Sequence, residues 1–154
     1  MFKPDHAGVK IPPPICFFAF LLVGILLDSA WIGGHFAATN LTAIGSVIAL
    51  TSLICLVLAA QKHKNAGTNI EPWKPTTKII SDGAYKYSRN PIYVAMAAVY
   101  VGLAVAADSW VALLLLPICL LVIRFHVITR EEAYLEDKFG KEYLDYKARV
   151  RRWL

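Results

Sequence analysis

Charge is scarce in this 154-residue chain: Asp, Glu, Lys and Arg make up 18% of it, and none falls within residues 11–27, 43–61, 91–107 or 109–123. With 57% of residues hydrophobic and a mean hydropathy of +0.51, four such runs exceed what a soluble core of this size needs, and the bilayer is the expected solvent. Cysteine is sparse and odd in number. Cys16, Cys55 and Cys119 each sit inside an apolar run without a paired motif, which excludes a disulfide framework. Histidine is equally thin: His6, His35, His63 and His126 lack ligand spacing, and no P-loop, GxSxG, HExxH or strand-borne GxGxxG is present, so metal catalysis is not expected. No recognition module accompanies the net charge of +5, so no nucleic-acid partner is expected; the basic residues flank apolar runs and suit anionic lipid headgroups instead.

What is present reads as an all-α integral membrane protein of about four transmembrane helices, with a C-terminal helical hairpin followed by cytoplasmic amphipathic helices. Lys and Arg number two before the first run, none between runs one and two, six across residues 62–91, none at the Asp108 turn and eight from Arg124 onward. That asymmetry places both termini and the middle loop in the cytoplasm. The first run carries Pro12, Pro13 and Pro14 and lacks a small-residue cleavage site, so it is expected to be a retained helix rather than a signal peptide. The chain divides as one domain, 1–154: two N-terminal helices over 1–61, a cytoplasmic loop over 62–91, and a hairpin with its tail over 92–154. Thirty residues are too many for a mere connector, so the loop is expected to be structured. Asp108 and Ser109 supply the hairpin turn, and Pro117 is expected to kink its second arm. Leu135, Phe139, Tyr143, Tyr146, Val150 and Trp153 recur at helical spacing, with Gly140 dividing the stripe into two helices, the second suited to the membrane surface. Gly24, Ala30, Gly45 and Ser46 are small residues available for close helix packing, within the chain or between subunits.

The stretch "YSRNPIYVA", residues 87–95, sets a cation and a helix start directly before the third run. Asn90 suits an N-cap and Pro91 the first helical position. Run four returns on the same side as "RFHVITREEAYL", residues 124–135. There His126 and Arg130 share a face at i and i+4, and Glu131 shares one with Tyr134 at i and i+3. A fixed Arg89 with open backbone donors suits a carboxylate or phosphate, whereas the Glu131–Glu132 pair suits an ammonium. Together they fit the two charged ends of an amino acid. Tyr85, Tyr87, Tyr93 and Trp73 can stack on a base or face a sulfonium. An amino acid, a cation and an adenine together describe S-adenosylmethionine.

These words are familiar. "SDGAYKYSRNPIY" and "REEAYLEDKFGKEYLDYKARV" resemble the isoprenylcysteine carboxyl methyltransferase family, itself similar in its C-terminal half to phospholipid methyltransferases; the resemblance runs from about Ala66 to Leu154. It implies that Arg89, Asn90, Pro91 and Tyr93 help build a cofactor pocket, with Glu131 and Glu132 near the methionine amino group. Tyr87, His126, Arg130 and Tyr134 complete the candidate binding set, and Arg89, Glu131 and Glu132 are the candidate catalytic residues. It further implies S-adenosylmethionine entering from the cytosol and a lipid-like or prenylated acceptor arriving laterally between helices. Three positions depart from the family pattern: Asn90 stands where many members have His, Ala95 where many have Gly, and Val127 where an Arg is common. Arg124 and Arg130 are the two candidates for the missing cation.

The expected function is therefore an integral membrane, S-adenosylmethionine-dependent methyltransferase, with isoprenylcysteine-type carboxylate O-methylation favoured over phospholipid N- or thiol S-methylation. A carboxylate or thiolate acceptor arrives as a competent nucleophile, whereas an amine needs Glu131, Glu132 or His126 as base. Two other classes compete. Sterol reductases using NADPH look similar around an Arg-His-Pro-x-Tyr word, and a non-catalytic lipid-binding protein needs only the helices and the basic tail. Oligomeric state is left open by the sequence.

Overall fold

The computed structural model describes residues 5–32 and 41–154; Lys3 and His35 lie outside the described residues. Within them, the hydrophobic runs form α1 (Pro13–Leu27), α2 (Leu41–Asn65), α3 (Pro91–Ala106) and α4 (Trp110–Ile123), followed by α5 (Thr129–Phe139) and α6 (Lys141–Arg149). Three helical stretches, Pro13–Ala30, Leu41–Asn65 and Trp110–Phe139, are long and apolar enough to cross a membrane, and α3 is a shorter apolar helix. The chain is an all-α membrane protein.

Local chemistry explains the boundaries. Proline at the first turn of α1 and α3 gives up an N–H that has no partner there anyway. α2 runs four residues further than its apolar stretch, so Lys62, His63 and Lys64 occupy its last turn, where cations suit the negative end of the helix dipole. Between α3 and α4, Asp108 adopts φ 55°, a conformation that Asp tolerates, and Ser109 caps α4 by accepting from the Ala112 N–H at 3.2 Å. Gly140 takes φ 52° and splits the amphipathic tail into α5 and α6, as its position in the stripe predicts. Pro117 lies inside a continuous α4.

α3 packs chiefly on α2, and α4 on α1, rather than the two hairpin arms mainly on each other. Small residues make this possible. A Cβ on Gly102 would lie 2.4 Å from the Ala49 backbone nitrogen, and one on Gly45 2.3 Å from that of Ala106, so the α2 and α3 backbones touch. Phe17 and Leu21 of α1 meet Tyr100, Ala104, Ala112, Cys119 and Ile123 in the core. The Tyr100 hydroxyl donates to the Ala112 carbonyl at 2.7 Å. All three cysteines are free.

After Ile123 the chain makes one wide turn, Arg124–Ile128, in which the Thr129 N–H reaches back five residues to the Arg124 carbonyl. The Thr129 hydroxyl donates to the same oxygen at 2.8 Å. Such a turn accommodates one extra residue, so Val127 and Ile128, four and five positions after Ile123, are both buried, and Glu132 follows Ile128 at four. The i, i+4 relation between His126 and Arg130 therefore does not bring them to a common pocket; both are exposed.

The tail also differs from its periodicity. α6 ends at Arg149, and Val150 is extended, with φ −120° and ψ 134°. Residues 150–154 return along the start of α3 instead of continuing as a helix on the membrane surface. Backbone pairing explains the change: the Arg89 N–H donates to the Arg151 carbonyl at 2.9 Å, and Trp153 packs against the core.

Candidate active site

The stretch before α3 is held from two sides. A short helical turn, Gly83–Lys86, delivers Tyr85 into the interior, where its carbonyl accepts from the Tyr146 hydroxyl of α6 at 2.9 Å. Burial pushes the Tyr146 hydroxyl up to about 12, so it stays a donor throughout the physiological range. Asn90 occupies the N-cap position of α3 but makes no side-chain cap. Its Nδ2 instead donates to the Arg152 carbonyl at 2.9 Å, and its backbone N–H donates to Ser88 Oγ at 3.1 Å. The chain requires that amide more to fix the returning tail than to cap the helix.

Two arginines and one glutamate form the adjoining network. Glu132, buried on α5, accepts from Arg89 Nη2 at 2.9 Å and takes a two-point contact from Arg152, Nε to Oε1 at 2.9 Å and Nη2 to Oε2 at 2.7 Å. The side chains of Arg89 and Glu132 are each 8% exposed and that of Arg152 29%. The bond to Glu132 raises the Arg152 guanidinium above its ordinary range, so Arg152 keeps its charge at neutral pH. Arg89 Nη1 reaches the Lys147 carbonyl at 3.3 Å, while its Nε is buried without a hydrogen-bond partner.

Glu131 is differently placed. Its Oε1 accepts from the Tyr93 hydroxyl at 2.8 Å, and among the described residues no cation stands within ion-pairing distance of it. Tyr93 and Glu131 face a cavity of about 360 Å³, whose walls also include Arg89, Asn90, Glu132 and Tyr134. Its lining is otherwise largely apolar, with Leu56 and Ala60 of α2, Ile92 and Met96 of α3, and Pro13 and Pro14 of α1. The loop over residues 66–90 roofs it with Trp73, Lys78 and Tyr85. Thr68 and Thr77 brace that roof, the Thr77 N–H donating to Thr68 Oγ1 at 2.9 Å. His63 enters from the end of α2, its Nδ1 3.2 Å from the Ala59 carbonyl and its ring 5.4 Å from that of Tyr85 in an edge-on contact.

Of the residues expected from sequence, Arg89, Asn90, Tyr93, Glu131, Glu132 and Tyr134 meet at this cavity. The Tyr134 hydroxyl accepts from the Thr76 N–H at 3.1 Å and donates to Asp5 Oδ1 at 2.9 Å, tying roof, tail helix and N-terminal segment together. Tyr87, Pro91, His126 and Arg130 do not line it: Tyr87 is 74% exposed, Pro91 is packed at the start of α3, and Arg130 donates to the Gly8 carbonyl at 3.2 Å. Neither Arg124 nor Arg130 pairs with the glutamates; the second arginine on Glu132 is Arg152, which sequence reasoning assigned to a membrane-surface helix. A buried carboxylate next to one arginine demanded a second cation, but only the return of the tail reveals which. His63 and Lys78 were likewise missed, since both read as interfacial charge. Among the described residues no three His, Cys, Asp or Glu side chains are grouped to hold a metal ion.

A family model described as phospholipid methyltransferase matches residues 40–142. The chain is 62% identical over 37 residues to an uncharacterised protein of Haemophilus influenzae, covering 24% of this chain and 59% of that protein. It is 35% identical over 72 residues to a fission yeast (Schizosaccharomyces pombe) protein-S-isoprenylcysteine O-methyltransferase, covering 47% of this chain and 30% of that protein. The chain thus spans less than two thirds of the length of these relatives. No solved structure matches it. The matched span takes in the cavity walls from α2 to the start of α6, more than half of the sequence, and the chain belongs to the phospholipid methyltransferase family.

Proposed function

We propose that this chain is an integral membrane methyltransferase that uses S-adenosylmethionine and acts on a hydrophobic acceptor, with O-methylation of an isoprenylcysteine-type carboxylate favoured. The observation that carries the reading is Glu131: a carboxylate in a cavity wall that accepts one hydroxyl and has no cation partner among the described residues. An uncompensated carboxylate there suits an ammonium group, and the buried, unpartnered Arg89 Nε suits an anion close by. Trp73 and Tyr85 supply aromatic faces for a base or a sulfonium.

When bound, the cofactor supplies a methyl group already activated by its sulfonium, so the protein mainly has to align and to exclude water. Tyr93 orients the Glu131 carboxylate. Arg89, fixed by Glu132 and by the Lys147 carbonyl, cannot swing away from the cavity. The apolar wall of Leu56, Ile92 and Met96 supports a lipid-like acceptor reaching the polar end from the membrane side. The charge asymmetry of the sequence supports a cytoplasmic site. A phospholipid amine is the second reading, favoured by His63 in the cavity wall as a proton acceptor. An NADPH-dependent reductase fits less well, because Arg89 and Arg152 are committed to Glu132, which leaves Lys78 as a single free cation in the cavity wall for a 2′-phosphate among the described residues.

The test is binding of S-adenosylhomocysteine and, separately, of NADPH to the purified protein in nanodiscs. Saturable S-adenosylhomocysteine binding by the wild type, weakened about tenfold in Glu131→Gln while the fold persists, is the expected result. Binding of NADPH alone would transfer the chain to the reductases, and binding of neither would leave a lipid-binding protein.

A further inference from the structure

We propose that Lys78 is the carboxylate-binding residue of this cavity, a role that rests on the methyltransferase reading above. Accounting for the charged side chains in the wall leads to it. Glu71 is held by Lys74 at 2.5 Å. Glu132 is neutralised twice, by Arg89 and Arg152. Two ionisable side chains of the wall are left without an ion-pair partner: Glu131, and Lys78, which lines the cavity and forms no hydrogen bond or ion pair among the described residues.

Neighbouring groups do not offer Lys78 another use. It also borders a second, polar cleft, but the carboxylate there, Asp82, is taken by Lys62. Arg89 is the other cation in the wall, yet two of its nitrogens already donate to Glu132 and the Lys147 carbonyl, leaving a single Nε. Lys78 has all three ammonium donors uncommitted on a flexible stem. A cavity lined by an acid and a base that are each without an ion-pair partner is complementary to a ligand carrying both an ammonium and a carboxylate, or to two ligands that carry one each. The carboxylate has two possible sources: the amino-acid end of the cofactor, or the acceptor itself.

The experiment compares wild type, Lys78→Ala and Lys78→Arg, full length in nanodiscs, for affinity toward four probes: S-adenosylhomocysteine, its decarboxylated analogue that keeps the amine, N-acetyl-S-farnesylcysteine and the carboxamide of that compound. If the cofactor is the source, Lys78→Ala weakens S-adenosylhomocysteine by about tenfold, leaves the decarboxylated analogue unchanged, and Lys78→Arg restores most of the loss. If the acceptor is the source, the tenfold loss moves to the farnesylcysteine and is absent for its carboxamide. A Lys78→Ala protein that binds every probe within about twofold of the wild type overturns the proposal. Failure of the wild type to bind S-adenosylhomocysteine removes the parent reading, and this one with it, whereas wild-type binding with an unaffected variant removes this one alone. Lys78 is exposed on the loop, so its loss leaves the helices to fold, and unchanged thermal midpoints confirm that each comparison is between folded proteins.

Discussion

Glu131 and Glu132 are adjacent in sequence but about 100° apart around α5, and the residue scale of this protein turns on that separation. One carboxylate completes a buried ion network; the other is presented to a ligand cavity. Their substitutions are therefore expected to fail differently. Glu132→Gln strips a charge from between two arginines, one of them 8% exposed, and is expected to cost about 3 kcal/mol of stability, read as a lowered thermal midpoint. Glu131→Gln keeps a partner for Tyr93 and is expected to hold stability within about 1 kcal/mol while weakening S-adenosylhomocysteine about tenfold. Equal stability losses in the two variants would sink the distinction. The pair was legible in the sequence as a pair. Its division of labour was not, because the wide turn at Arg124–Ile128 adds a residue to the helical register, and buries Ile128 and Glu132 as well as the regularly spaced Val127.

At the scale of elements, α2 holds α3 by backbone contact. Gly102→Ala gains about 1 kcal/mol in helix propensity, but its Cβ meets the Ala49 nitrogen at 2.4 Å, and moving two backbones apart costs about 1–3 kcal/mol. A net loss of stability is expected, measurable as earlier unfolding in detergent; a stabilised variant would mean that the helices are not in contact there. The helices themselves were readable, since uncharged runs punctuated by Pro91, Asp108 and Gly140 leave few other options. Which helix packs on which was not readable, because every run offers small residues and only the three-dimensional match of Gly45 and Ala49 with Gly102 and Ala106 selects the pairing.

Across the whole molecule, the two ends of the chain converge on the site: Asp5 is bound to Tyr134, and residues 151–152 to residues 88–90. Arg152 contributes both a guanidinium fork and a carbonyl. Arg152→Lys keeps the charge and the carbonyl but loses the two-point geometry, so it is expected to retain the fold and lose part of the ligand affinity; Arg152→Ala is expected to lower the thermal midpoint as well, and a neutral Arg152→Ala would show that the tail is only loosely attached. The touching backbones of α2 and α3 have a consequence beyond packing. α3 has 16 residues, about 24 Å, against a hydrocarbon core of about 30 Å, while its partner α2 has 25 residues. A thicker bilayer must either thin around α3 or draw the pair more upright as one rigid unit, carrying Arg89 and Asn90 with it. Activity is thus expected to vary with lipid chain length, falling as vesicles are made from longer acyl chains, and this membrane protein would sense the thickness of its own solvent through a glycine contact.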